Sequence, residues 1–235
     1  MNIEEYLRRL RSESQQIFEK TICYQTELGK AHHFSACVNE FSEHVFDNVE
    51  KNILTTVSTQ LESATFNVTM GLYRQAFSSL RLAFEMGIGV VYFSVHRLEL
   101  NEWLCGQADL KWANLLDESN GILSKRFTNA FYKELSDEVS HYRHLAKSVY
   151  RELSEFVHGN NETWELSGLT LKYNEQLLMK YFKVYNDVSK VVLFVLCCRY
   201  LRSFSTEVLD SLEFIPEEFH HISIIREQFG GPKEL

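Results

Sequence analysis

The segment YRELSEFVH (residues 150–158) carries an arginine and a histidine seven positions apart, Arg151 and His158. Seven residues are nearly two turns of an α-helix, so the two side chains lie within about 20° on one face and about 10 Å apart along the axis. Histidine exchanges protons near neutral pH, and arginine presents a permanent charge and a planar fork that fits phosphate. The pair therefore has the residue types of an acid–base and anion-binding site. The alternative is a solvated polar stripe.

The helix that must carry this pair is predicted over residues 123–158 and is amphipathic. Its apolar arc consists of Leu145, Val149, Leu153, Phe156 and Val157, which we expect to face the core. The opposite side, within about 80°, consists of His144, Lys147, Arg151, Ser154 and His158. This stripe is almost wholly cationic or imidazole in an otherwise acidic protein. Gly159, Asn160 and Asn161 are typical of a helix end, so His158 is expected to face an open cleft.

A second charged pair lies at the border of an apolar helix face in YRQAFSSLRLAFE (residues 73–85). Arg81 and Glu85 are four residues apart and adjoin the predicted core arc of that helix. Charges so close to a core are unfavourable unless they are paired and hydrogen-bonded. We expect the two to be mostly buried and bonded to each other or to the 123–158 helix. They either fix the packing of two helices or support a neighbouring site.

The elements that must position these residues are predicted to be helical. The first 215 residues contain no proline, and the apolar residues recur at helical spacing. Long helices are predicted at about 2–27, 36–69, 72–97, 123–158 and 175–204, with a last short helix opened by Pro216. Residues 98–122 are predicted to be a loop with a short helical piece, and residues 164–174 a small hairpin or ordered loop. The predicted fold is an all-α bundle of four to five long helices in a single domain. Its core spans about 37–204, and the 2–27 helix and residues 205–235 are additions.

Composition indicates a reduced, soluble protein. The net charge is −8, so any nucleic acid contact needs a local basic patch. Five cysteines without metal-like or disulfide-like spacing favour the cytoplasm. The most apolar run, residues 191–198, is far shorter than the roughly 20 residues of a membrane span. No membrane partner is therefore expected.

Both segments resemble one known family. YRELSEFVH is similar to the Arg-x(4–6)-His signature of the HEPN superfamily (higher eukaryotes and prokaryotes nucleotide-binding domains), with six residues between Arg151 and His158. A polar residue often follows the arginine in that family, and Glu152 does so here. YRQAFSSLRLAFE resembles the second-helix segment of bacterial members. The resemblance covers roughly residues 37–204.

The resemblance implies a four-to-five-helix bundle, usually a homodimer whose Arg/His motifs meet at a cleft. Many members are metal-independent endoribonucleases of toxin–antitoxin, phage-defence or RNA-processing systems, and others have lost activity. By that resemblance, Arg151 and His158 are the expected catalytic residues, with Arg81, Glu85, Glu152, His144, Lys147 and Ser154 in support. RNA is the expected substrate, a cognate antitoxin or other protein is an expected partner, and no cofactor or metal is expected.

Two other interpretations of the same residues stay open. The first is a catalytically silent HEPN-like module that binds a nucleotide or a protein in the same cleft. The second is a helical adaptor, in which Arg151 and His158 only hold a subunit interface. Among other candidates, His141 and His144 with Glu138 lack a third metal ligand at motif spacing. Trp103, Trp112 and Trp164 are interpreted as caps on the ends of the bundle rather than as platforms for RNA bases.

Overall fold

A computed structural model describes residues 2–159 and 169–233 of the chain. Within those ranges it contains helices and no strand, which confirms the predicted all-α class. The helices are α1 (Ile3–Thr21), α2 (Gln25–Glu43), α3 (Asn48–Thr69), α4 (Tyr73–Phe93), α5 (Arg97–Leu104), α6 (Trp112–Leu115), α7 (Lys125–Phe131), α8 (Val139–Val157), α9 (Glu175–Tyr200), α10 (Thr206–Ser211), α11 (Phe214–Glu218) and α12 (Ser223–Gln228). Short 3₁₀ turns lie at Lys133–Leu135 and Leu201–Ser203.

Helices α2, α3, α4, α8 and α9 pack against one another around one hydrophobic core. Helix α4 is central and contacts α3, α8 and α9. Its length and composition would allow it to cross a membrane, but 67% of that window is buried inside the structure. An apolar helix surrounded by other helices is what the centre of a bundle requires. The helix is therefore consistent with a soluble protein, and a cytoplasmic location stays a prediction.

The first two predicted helices have the wrong boundaries. The predicted 2–27 helix ends at Thr21, and α2 begins at Gln25 and runs past Gly29. The predicted 36–69 helix is interrupted between Glu43 and Asn48. Asp47 causes a new start there, because its side chain accepts hydrogen bonds from the backbone N–H groups of Val49 and Glu50. Such an N-cap provides acceptors for backbone N–H groups of the first helical turn, which have no partner within the helix.

The predicted 123–158 helix is also divided. Ser124 caps α7 by accepting from the backbone N–H of Phe127, and α7 ends at Phe131. The chain then makes a 3₁₀ turn, and α8 begins only at Val139. Residues 98–122, predicted as a loop with a short helical piece, contain most of α5 and all of α6.

The C-terminal predictions are correct in part. Helix α9 ends at Tyr200 rather than at residue 204. Pro216 lies inside α11 instead of opening it, at the third helical position, where a backbone N–H has no intrahelical acceptor. Residues 169–174 are not a strand, and residues 164–168 of the predicted hairpin lie outside the described residues. The predicted C-terminal addition packs into the core, where Ile215, Phe219 and Ile225 are buried.

One carboxylate inside this bundle has a predictable effect on stability. Glu50 is buried and accepts a hydrogen bond from the Tyr200 hydroxyl at 2.8 Å. Its Oε1 atom lies 3.1 Å from Arg97 Nη2 but receives no hydrogen bond from any described residue. Burial raises the pKa of Glu50 above its ordinary value, despite the opposing effects of Tyr200 and Arg97.

A raised pKa means that the folded state binds the Glu50 proton more tightly than the unfolded state does. Stability therefore falls as pH rises from the ordinary carboxyl pKa through the raised one. We expect Glu50→Gln, which mimics the protonated acid, to have a higher urea midpoint than the native chain at pH 7, with the gain shrinking at pH 4. Glu155→Gln is the matched control, because Glu155 is exposed and forms no ion pair with a described residue. A midpoint lower than that of the native chain at pH 7 would contradict this assignment.

Candidate functional site

The end of α8 is held against α4 by an aromatic stack and a backbone hydrogen bond. The rings of Phe77 and Phe156 stack with centroids 3.8 Å apart and planes 6° from parallel. Arg74 Nε donates to the carbonyl oxygen of Phe156 at 3.2 Å. A cation near the last carbonyls of a helix also interacts favourably with the helix dipole. Together these contacts fix where α8 stops.

His158 is the residue at which α8 stops. Its backbone N–H still donates to the Ser154 carbonyl at 2.9 Å, while its side chain is exposed. Gly159 follows with φ of +101°, a conformation that is strained for other residues. The predicted helix stop therefore lies at Gly159, and Asn160 and Asn161 lie outside the described residues. The imidazole is exposed at the end of α8, and the open cleft expected there stays a prediction.

Arg81 of α4 reaches this imidazole and connects it to Glu85. Its Nε atom donates to Glu85 Oε1 at 2.9 Å, and its Nη2 atom donates to the Tyr150 hydroxyl at 3.0 Å. Its Nη1 atom lies 3.4 Å from His158 Nε2. The Arg81 and Glu85 side chains are 15% and 30% exposed, so they form the mostly buried, mutually bonded pair that the sequence predicts.

The Arg81–His158 contact determines which form of the imidazole fits this geometry. A guanidinium has donors only, so Nε2 of His158 must accept the hydrogen bond and cannot carry a proton. The neutral ring then holds its proton on Nδ1. A neutral imidazole is the form that removes a proton from a hydroxyl group. A general base takes its proton at this same lone pair, so Arg81 must release Nε2 before His158 can act as one.

An aromatic stack that sequence reasoning missed supports Arg81. The Arg81 guanidinium carbon lies 4.9 Å from the centroid of the Tyr150 ring. Tyr150 in turn stacks on Trp112 with centroids 3.9 Å apart, and Trp112 packs against Phe84 at 5.4 Å. Cation–π contact and stacking restrict where the guanidinium can go. The only sequence signal for this stack was Tyr150, the residue before Arg151. Sequence spacing alone does not reveal that Tyr150 stacks on Trp112.

The remaining predicted residues divide into two groups. Arg151 and Lys147 are exposed on the outer face of α8, and Arg151 makes no hydrogen bond or ion pair with any residue that the structure describes. Glu152 instead lies 3.8 Å from Lys180 of α9. His144 Nδ1 contacts the Ser140 carbonyl at 2.6 Å, and Ser154 donates its hydroxyl to the Tyr150 carbonyl at 2.7 Å. These last two side chains are engaged by the backbone of their own helix.

The site has the charges for anion binding but an incomplete set of proton carriers. Arg151 is accessible to a phosphate, Arg81 is partly accessible, and His158 is the adjacent acid–base group. Within residues 2–159 and 169–233, no three histidine, cysteine, aspartate or glutamate side chains are placed to hold a metal ion. Trp103 packs on Phe93 at 5.2 Å, consistent with a capping role, and Trp164 lies outside the described residues. Comparisons with protein-family models, with curated proteins and with solved structures find no match for this chain.

Proposed function

We propose that the protein is a metal-independent endoribonuclease of HEPN type that cuts RNA by attack of the ribose 2′-hydroxyl. One observation carries this proposal: His158 Nε2 lies 3.4 Å from the Arg81 guanidinium at the exposed end of α8, on the same helix face as the exposed Arg151. This combines an acid–base group with two permanently charged guanidinium groups. The resemblance of residues 150–158 and 73–85 to that superfamily supports the same reaction.

In this reaction Arg81 releases Nε2 of His158, Nε2 takes the proton of the 2′-hydroxyl, and the 2′-oxygen attacks the adjacent phosphorus. The bond from phosphorus to the 5′-oxygen then breaks, and that oxygen receives a proton. The products are a 2′,3′-cyclic phosphate and a 5′-hydroxyl. Arg151 stabilises the negative charge that builds up on the phosphorane, because a cation beside the phosphate gains most where negative charge develops.

A second proton carrier is needed for the leaving oxygen, and a homodimer supplies it. Twofold symmetry presents each residue of an interface twice, so two copies of His158 serve as base and acid. The partners in this proposal are RNA, a second copy of the chain and a cognate antitoxin or other regulatory protein, in a cytoplasmic stress or defence system. Light scattering at tens of micromolar tests the assembly, and a monomeric mass would count against the composite site.

The proposed reaction is tested with RNA in the presence of EDTA. We expect cleavage to persist in EDTA and to stop when the cleaved position carries a 2′-deoxy sugar, because its nucleophile is missing. Cleavage that needs a divalent ion, or that continues at a deoxy position, would refute the mechanism.

The second candidate function is a catalytically silent module that binds RNA or a nucleotide. The contacts of Arg81 favour it, because Glu85 and Tyr150 already engage two of its nitrogen atoms. A guanidinium held by a carboxylate has less charge available for a phosphorane. Binding of RNA that depends on Arg151, without cleavage under any condition, supports this candidate. Absence of both binding and cleavage favours the adaptor.

A further inference from the structure

A cavity of about 440 Å³ lies between α2 and α9 and includes none of the residues of the candidate site. Helix α11 contributes to one end of it through Phe214 and Glu218. The residues that make its wall apolar are Ala31, Phe34, Phe182, Tyr185, Leu193 and Phe214. Volumes of this order, with apolar walls and few polar groups, are typical of small-molecule sites.

The two ends of the cavity can be told apart by residue number, because α2 and α9 run parallel. The Tyr185 hydroxyl donates to the Ala31 carbonyl at 2.7 Å, and further along both helices Tyr200 lies against Phe41 with ring centroids 5.9 Å apart. Residues that come early in both helices therefore share one end of the cavity. From residue 27 to residue 37 the α2 wall is about 15 Å long, at the rise of an α-helix.

Positive charge is concentrated at the early end. Lys30 and Lys183 both line the cavity there, are exposed, and form no ion pair within the described part of the chain. Glu27 lies at the same end, so two lysines and one glutamate leave one net positive charge. Met179, an apolar side chain that is 45% exposed, also lines this early end. We call this end the mouth of the cavity, because Lys30, Lys183 and Met179 are exposed there. The opposite end has Leu193 and Phe214 beside Glu218, so it offers an anion no attraction.

Cys37 shows that this cavity is unsuited to thiolate catalysis. Its sulfur lies 3.4 Å from His33 Nε2, an arrangement that resembles a cysteine–histidine pair. Burial, however, raises the pKa of the Cys37 thiol to about 12. The thiol therefore stays protonated at neutral pH and is a poor nucleophile. The cavity is better suited to reversible binding than to covalent chemistry.

We infer that this cavity binds an amphipathic carboxylic acid with an unbranched, medium-length apolar chain. The carboxylate pairs with Lys30 and Lys183 at the mouth. The chain extends along Phe34 and Tyr185 toward Leu193, and burial of its methylene groups supplies most of the affinity. Neither an amine nor a neutral alcohol of the same length gains the contacts with the lysines.

The inference is tested by titration calorimetry with decanoate, decanol and decylamine. We expect decanoate to bind most tightly and decylamine least. Lys30→Gln/Lys183→Gln should weaken decanoate binding about tenfold while leaving decanol binding unchanged. Asn186→Trp, at an exposed position of the lining, should fill part of the cavity and weaken both. Lys111→Gln is the matched control, because Lys111 is exposed and does not line the cavity, and this variant should bind decanoate as the native chain does.

The location of binding is tested with a thiol placed at an exposed position of the cavity lining by Asn186→Cys. Bound decanoate should slow alkylation of this thiol, followed peptide by peptide, without slowing that of the exposed Cys23. Decylamine binding as tight as decanoate binding, a double lysine variant that binds decanoate normally, or no binding of any of the three probes would each overturn the inference. None of these outcomes depends on RNA cleavage.

Discussion

Replacing His158 by alanine is expected to lower the rate of RNA cleavage by about 10²–10⁴-fold, which is the usual contribution of a positioned acid–base group. The side chain is exposed at the end of α8, and its one described contact, to Arg81, spans 3.4 Å. Its loss should therefore change the thermal midpoint very little. The rate is measured on a single RNA at saturating enzyme, so that a change in affinity does not enter.

The matched control for this variant is His144→Ala. His144 lies on the same outer face of α8, is exposed, and contacts only the Ser140 carbonyl among described residues. Its replacement removes an imidazole without removing the one at the end of α8. We expect the control to keep most of its activity. Equal losses in the two variants would show that His158 contributes no more than another imidazole on this face. Cleavage that is retained in His158→Ala would remove His158 from the mechanism.

The second large effect is expected for Arg151→Ala, with a loss of about 10²–10³-fold in the cleavage rate, similar to the loss of one donor that stabilises a developing oxyanion. Arg151 has no hydrogen-bond or ion-pair partner within the described residues, so its replacement breaks no such contact there. The effect should therefore appear in catalysis rather than in stability. Arg151→Lys should recover only part of the rate, because lysine cannot form the two parallel hydrogen bonds of a guanidinium.

Lys147→Ala separates local from general electrostatics. It removes one exposed positive charge from the same helix, one turn before Arg151. If the charge acts only by attracting RNA, the two variants should lose similar activity and lose it mainly at low substrate concentration. The proposed role predicts a much larger loss for Arg151→Ala at saturating RNA. Similar rates for the two variants would contradict it.

The fold class could be predicted because apolar spacing and the lack of proline describe a helix wherever it lies. The helix boundaries were harder, because local contacts decide them. Asp47 accepts two backbone hydrogen bonds and starts α3 inside a predicted helix. Tyr132, with φ of −152° and ψ of 77°, separates α7 from the turn before α8 without a proline or glycine to mark the break.

The candidate site was predictable only along single helices. A helical wheel placed Arg151 and His158 on the outer face of α8, and both are exposed. It also predicted the Arg81–Glu85 pair, since both residues belong to α4. A wheel contains no distance between helices, so it gave neither the contact from Arg81 to His158 nor the stack of Tyr150 on Trp112. The cavity between α2 and α9 could not be predicted for the same reason.

The chemistry of the RNA ends tests the proposed reaction most directly. RNA is incubated with the native protein in EDTA, and the new ends are analysed beside those from His158→Ala. The predicted result is 2′,3′-cyclic phosphate and 5′-hydroxyl ends from the native protein and almost none from the variant. New ends carrying a 3′-hydroxyl and a 5′-phosphate, or formed only when a divalent ion is added, would contradict it.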